Sequence, residues 1–205
     1  MGVYRSRILP HIMNATMNSK ENREIRTRVC ADLVGTVVEI GFGSGLNIPH
    51  YPAGVDTVGA VEPLARSVAI ATKRIDAGRA RIRHVGLTGE QIDLPSASAD
   101  AVLSTWTLCS IPDVEAALSE IRRIMKPGGV LHFVEHGIAP DPKVARRQHR
   151  IEPITKPIFG GCHLTRDIPA LLTGAGFAIS SMTAFQHPKE PKPFGWTFEG
   201  RATVA

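Results

Sequence analysis

Apolar positions along the chain recur with two alternating periods. Ile25, Val29 and Leu33 return every four residues, which predicts a helix from about Ser19 to Leu33, capped by Asn18 with Glu21 three residues on. The β-branched run from Thr36 to Ile40 then reads as a buried strand. From there strand-like runs and helical stripes alternate. The pattern predicts strands over "DTVGAVE" (56–62), "ARIRHVG" (80–86), "ADAVLSTW" (99–106) and "VLHFVEH" (130–136). It predicts a helix over 63–75, opened by Pro63. A second runs from Asp113, with Val114, Ala117, Leu118, Ile121, Ile124 and Met125 on one stripe, Lys126 in the last turn and Pro127-Gly128-Gly129 as the stop. A proline-broken segment, Gly137 to Cys162, precedes a helix around Thr165–Ala175 and two final strands near 177–185 and 194–204.

Such alternation predicts a parallel α/β sheet with helices on both faces, and ligands then bind beyond the carboxyl ends of the strands. One domain suffices for 205 residues. Its expected parts are a helical cap (1–34), a cofactor-binding core (35–136), an acceptor-side insertion (137–163) and a C-terminal helix with a hairpin (164–205).

Composition narrows the class. Apolar residues at 43% and charged residues at 21% describe a globular chain. The net charge of +5 would suit an anionic partner, but aromatic residues are only 5% and do not interleave with the basic ones, so no nucleic-acid partner is expected. Cys30, Cys109 and Cys162 are widely spaced and odd in number, which argues for a reducing, cytoplasmic setting rather than a disulfide framework. The N-terminal stretch has no apolar run long enough for a signal peptide or a membrane span. Stable membrane insertion is therefore not expected. Peripheral contact is left open by Arg146, Arg147 and Arg150, which read first as a solvated helix surface.

The chemistry concentrates in "VVEIGFGSGLN" (37–47), a glycine turn at a strand end. A dinucleotide fingerprint would need a third glycine where Leu46 stands, and a phosphate loop would need Gly-Lys-Ser/Thr. Lysine and arginine are absent from Thr36 to Arg66 until Arg66 itself, whereas acids stand at three strand ends. Glu39 can face a cationic amino group, Glu62 both ribose hydroxyls, and Glu90 an adenine amino group. A cofactor with ribose, adenine and an amino-acid tail but no phosphate fits all three, which describes S-adenosylmethionine.

"EIGFGSG", "AVEP", "GEQIDLPSASADAVLSTWTLCSIPD" and "EIRRIMKPGGVLHFVEH" resemble, in order, the motifs of class I S-adenosylmethionine-dependent methyltransferases. The type-11 subgroup with the ubiquinone/menaquinone enzymes is the nearest. "GGCHLTRDIPALLTGAGF" and "MNSKENREIR" resemble small thiol methyltransferases of the methyltransferase-like group, whose N-terminal membrane-inserting segment has no counterpart here. The resemblance implies a Rossmann-like, seven-stranded sheet with an antiparallel last strand. It implies that Glu39 and the Gly41, Gly43 and Gly45 backbone hold the methionine portion. Glu62 then takes the ribose, Pro63 packs by the adenosine, Glu90 and the Gln91 backbone take the adenine, and Thr105 and Trp106 line the methionine side. Phe42 replaces the commoner cysteine or alanine, at a position that binds through its backbone.

The expected reaction is in-line methyl transfer to a small, hydrophobic acceptor, with thiol sulfur or phenol/quinol oxygen favoured over a quinone carbon or lipid amine. A phenol would call for a general base, for which His136, Glu135 and His163 are the candidates. No metal is expected, because His132 and His136 on one strand stand about 13 Å apart. Cys162 reads as a small buried cysteine. The alternatives are an NAD(P)-dependent oxidoreductase and a non-catalytic methyltransferase-like binding module.

Overall fold

The structure, a computed structural model, describes residues 2–205, so Met1 of the expected helical cap lies outside it. A π-helical turn, Tyr4–Ile8, runs into helix α1 (Leu9–Thr16), and α2 (Lys20–Cys30) follows. Strands β1 (Gly35–Ile40) and β2 (Val55–Val61), helix α3 (Ala65–Ala77), and strands β3 (Arg81–Gly86) and β4 (Ala99–Thr105) come next. Helix α4 (Val114–Ile124), strand β5 (Met125–His136), helices α5 (Pro142–Ile158) and α6 (Ile168–Gly174), and strands β6 (Phe177–Gln186) and β7 (Trp196–Val204) complete the chain.

The strands form one seven-stranded sheet in the order β3-β2-β1-β4-β5-β7-β6. Neighbours from β3 to β5 pair in parallel, and β7 runs antiparallel to both β5 and β6. Side chains alternate across it. Val38, Ile40, Val102, Leu131 and Phe133 pack with α4 and α6 on one face. Val37, Val58, Leu103 and Val134 pack with Ile25, Val29 and Cys30 of α2 on the other. Both faces are covered, which is why the central strands are continuously apolar. The strand order reverses between β1 and β4, so a crevice opens beyond their carboxyl ends.

Three local expectations need correction. Ser19, not Asn18, caps α2: its Oγ accepts from the Asn22 N–H at 3.1 Å. Helix α4 stops at Ile124, short of the Lys126 turn, because Met125 turns extended and pairs with Ala99 as the first residue of β5. The segment expected to be broken by proline holds one helix, α5, with Pro153 and Pro157 inside it. Tertiary bonds hold it there. The Glu152 carboxylate accepts from the Thr165 N–H and hydroxyl at 2.9 and 2.7 Å, and Gln148 is bonded to the backbone at Gly137 and Ala139.

Candidate active site

Beyond Ile40 the chain turns through Gly41, Gly43 and Gly45, each with φ between +55° and +73°. At Gly41 the requirement is also steric, since a Cβ there would collide with the Thr107 side chain from the loop after β4. The turn presents the Gly43 N–H to Glu62 Oε2 at 2.8 Å, while Glu62 Oε1 accepts from the Leu64 N–H at 2.8 Å. Burial raises the Glu62 carboxyl above its ordinary range, with the two backbone bonds opposing. The carboxylate is thereby fixed at the end of β2.

Glu39 is the most deeply buried acid of the site, 1% exposed. Asn47 Nδ2 donates to its Oε1 at 2.9 Å and the Tyr51 hydroxyl donates to its Oε2. Burial lifts this carboxyl to about 7, against the pull of those bonds and of the Arg26 charge. Arg26 enters from α2 and is 5% exposed. Its Nη1 donates to Asn47 Oδ1 at 2.6 Å and to Thr105 Oγ1 at 3.1 Å, and its guanidinium carbon lies 4.9 Å from the Trp106 ring centroid. Burial lowers Arg26 to about 10, with the Glu39 charge opposing.

Glu39, Arg26, Glu62, Thr105 and Trp106 line one cavity of about 440 Å³, with Asn47 and Tyr51 supporting Glu39 from behind. Of the residues expected to hold a cofactor, Glu39, Gly41, Gly43, Glu62, Pro63, Glu90, Thr105 and Trp106 are on its wall. Gly45 and Gln91 are not among its lining residues: Gly45 backs against Ile48 and Ala71, and the Gln91 N–H donates to Thr88 O at 3.4 Å. Leu9, Pro10, Met13 and Met17, from the N-terminal helices, and Phe159, after α5, give the cavity an apolar side. Two donors on its wall are buried without partners, Arg26 Nε and Trp106 Nε1. Trp106 also sits at φ +52°, a backbone conformation a tryptophan seldom adopts, held by its N–H bond to Val134 O at 2.7 Å. A buried carboxylate beside unpaired guanidinium and indole N–H groups suits an amino-acid tail with both charges. Glu62 at the next strand end suits a diol.

The candidate bases stand elsewhere. Glu135 is fully buried behind the wall, where Ser104 Oγ and the Thr107 and Cys109 N–H groups donate to its carboxylate at 2.6, 3.1 and 3.0 Å. It orders the loop after β4 and leaves no oxygen for an acceptor. His136 lies 3.7 Å from Cys162 Sγ through Nδ1 and 3.4 Å from Glu190 Oε2 through Nε2. His163 Nδ1 lies 3.1 Å from Glu152 Oε1. Neither histidine is among the cavity's lining residues. Cys162 is half-buried rather than a core cysteine. His132 turns its Nδ1 to Val29 O at 2.9 Å. Arg146, Arg147 and Arg150 are exposed on α5.

Arg26, Asn47 and the α1 side chains are missing from the sequence-based site. A signal for Arg26 exists: Arg26, Val29, Cys30 and Leu33 share the i, i+3, i+4, i+7 stripe, so the arginine continues the buried face of α2.

Comparison with known proteins agrees with this geometry. Residues 38–133 match a methyltransferase-domain family model. The chain is 34% identical over 189 residues to the thiol S-methyltransferase TMT1B of Rattus norvegicus, spanning 88% of this chain and 74% of that one. It is 32% identical over 202 residues to TMT1B of Homo sapiens, spanning 94% and 80%. Among solved structures, an S-adenosylmethionine-dependent methyltransferase from Thermotoga maritima superposes with a TM-score of 0.68 at 20% identity, over 99% of this chain and 98% of that one.

Proposed function

The chain belongs to the type-11 class I S-adenosylmethionine-dependent methyltransferases, and from that premise we propose that its acceptor is a small, hydrophobic thiol. The observation that carries the acceptor class is the likeness to thiol S-methyltransferases over nearly the whole chain. Glu39 and Arg26 would hold the amino and carboxyl groups of the methionine tail, Glu62 the ribose, and Glu90 the adenine end. S-adenosylmethionine, when bound, supplies a sulfonium methyl group open to in-line displacement.

The residues of the chain then position and shield. Leu9, Met13, Met17 and Phe159 give an apolar acceptor its contact area and exclude water from the transfer. The roof is tied down where the Tyr4 hydroxyl donates to Ile158 O at 2.9 Å and Arg5 Nη2 to Gly160 O at 3.2 Å. Arg5 also lines the cavity, and its charge favours the thiolate form of an acceptor. A thiol ionises within reach of neutral pH, so it needs no side-chain base. A phenol would need one, and the candidate bases are held by Cys162, Glu190, Glu152 and the Glu135 donors. In this reading Glu135 and His136 shape the site without removing the proton.

Among the described residues no helix is long and apolar enough to cross a membrane. All three cysteines are free, which supports work in a reducing compartment such as the cytoplasm.

The test is methyl transfer from labelled S-adenosylmethionine to matched aryl and alkyl thiols and to the corresponding phenols. Turnover of thiols with phenols near background is the expected result. Turnover of phenols alone would overturn the acceptor class.

A further inference from the structure

Three residues outside the cavity wall meet at one point. Cys109 lies in the connection after β4, His136 ends β5, and Cys162 lies between α5 and α6. We propose that Cys109, His136 and Cys162 form a three-ligand site for a thiophilic divalent cation, zinc above all, with a fourth coordination position left to an exogenous donor.

The distances carry the proposal. Cys109 Sγ and Cys162 Sγ are 3.6 Å apart, Cys162 Sγ and His136 Nδ1 are 3.7 Å apart, and all three ligand atoms lie within 4.8 Å of one another. Zinc bonds of about 2.3 Å to sulfur and about 2.0–2.1 Å to nitrogen, at tetrahedral angles, separate two sulfurs by about 3.8 Å and a sulfur from a nitrogen by about 3.5 Å. The two measured edges match within a few tenths of an ångström. A sulfur separation of 3.6 Å is far from the roughly 2.05 Å of a disulfide.

The surroundings fit the same reading. With Nδ1 toward the sulfurs, the other imidazole nitrogen, Nε2, is buried without a hydrogen-bond partner and lies 3.4 Å from Glu190 Oε2, the nearest carboxylate behind the ring. A carboxylate behind a metal-binding histidine fixes its tautomer and strengthens it as a ligand. The backbone is also arranged for the contact. Gly160 and Gly161 hold φ of +73° and +106°, and a Cβ at Gly161 would press within 3.1 Å of Ser110 O, so the Cys162 loop closes on the Cys109 loop only because glycine stands there. The His163 N–H bonds to Cys109 O at 2.8 Å and locks the two loops together. Two thiolates balance the charge of a divalent ion, and the two thiol protons leave to solvent as it binds.

The spacing of His132 and His136 excludes only a site on a single strand. This one draws its ligands from three separate loops and strand ends, and its existence requires no assumption about the methyl acceptor.

The experiment uses untagged full-length protein, kept reduced, stripped with a chelator and titrated with zinc against a chromophoric competitor, then with cobalt(II) followed by absorption. One zinc per chain is expected, and cobalt should give thiolate charge-transfer bands with the intense visible bands of tetrahedral coordination. Cys162→Ser and His136→Ala should abolish stoichiometric binding, and Cys30→Ser should retain it. Glu190→Gln should weaken zinc by about 10–100-fold. No zinc taken up by the reduced protein, a weak octahedral cobalt spectrum, or equal binding by Cys162→Ser and the parent would each overturn the site. A Cys109–Cys162 disulfide found under the same reducing conditions would do so too. Should a variant unfold, the cobalt spectrum of the parent protein decides. Titration with S-adenosylhomocysteine, run in parallel, separates failure of the metal site from failure of the methyltransferase reading.

Discussion

Glu39 holds its charge at a cost, because it is buried and both oxygens already accept hydrogen bonds. With its carboxyl raised to about 7, the free protein keeps it protonated below that pH. An ammonium group bound beside it favours the ionised form, so ligand affinity is full above about pH 7 and falls as pH drops through it. For folding of the free protein the sign is opposite. A raised carboxyl contributes most stability below its unfolded value and loses it as pH rises through about 7. Calorimetry with S-adenosylhomocysteine between about pH 6 and 8 should show affinity rising by up to about tenfold per pH unit below the folded value, with proton release on binding. Glu39→Gln should bind more weakly and without that slope. A slope that survives in Glu39→Gln assigns the proton to another group. Glu62 makes a second, simpler case. Its two oxygens are fixed at the end of β2 by the Gly43 and Leu64 N–H groups, so Glu62→Ala should cost about 1–3 kcal/mol of adenosyl-ligand affinity. Unchanged affinity in a folded variant would remove Glu62 from the ribose site.

Helix α1 divides the labour of the cavity from the sheet: the strand ends supply the polar groups, and Leu9, Met13 and the capping Met17 the apolar contact. Met13→Ala should therefore raise KM for apolar thiols about fivefold, the equivalent of about 1 kcal/mol of lost side-chain burial, and leave the Kd for S-adenosylhomocysteine within about twofold. Equal loss in both would place α1 over the cofactor instead. The sequence places this helix only within the expected helical cap over 1–34 and sets no bounds for it. Ile12 is exposed on its outer side beside His11 and Thr16, which blurs the polar face of an amphipathic helix, and its inner residues line a cavity. The opposite holds for α4, whose whole predicted stripe from Val114 to Met125 is buried, because a helix packed on a sheet carries its period in the sequence. Helix α5 shows a third situation. Pro153 and Pro157 speak locally against a helix, and the bonds of Gln148 and Glu152 to distant backbone override them.

Over the whole molecule, what was legible is what lies close along the chain. The glycine turn, Glu62 and Trp106 each stand at the end of a predicted strand and Glu90 in the loop after one, and parallel strands bring their carboxyl ends to one edge, so pattern alone places them together. The spacing of α2 marks Arg26 as buried but not the cavity it joins, and the Cys109–His136–Cys162 group meets across tertiary contacts that no spacing encodes; the two cysteines are 53 residues apart. The cavity inherits this breadth, since its wall draws on α1, α2, the ends of β1, β2 and β4, and the end of α5. A ligand seated there ties α1, α2 and the end of α5 to the strand ends, and it binds the folded chain alone. At a ligand concentration of 100 times Kd the stabilisation is about 2.7 kcal/mol. For a chain of this size, each kcal/mol is worth roughly 2–4 °C in Tm, so S-adenosylhomocysteine should raise Tm by about 5–11 °C. NADH and NADPH should not, because the turn lacks the third glycine of a dinucleotide site and its wall carries acids where a pyrophosphate would lie. A shift with NADPH and none with the adenosyl ligand would mean that Glu39 and Glu62 have been assigned to the wrong cofactor.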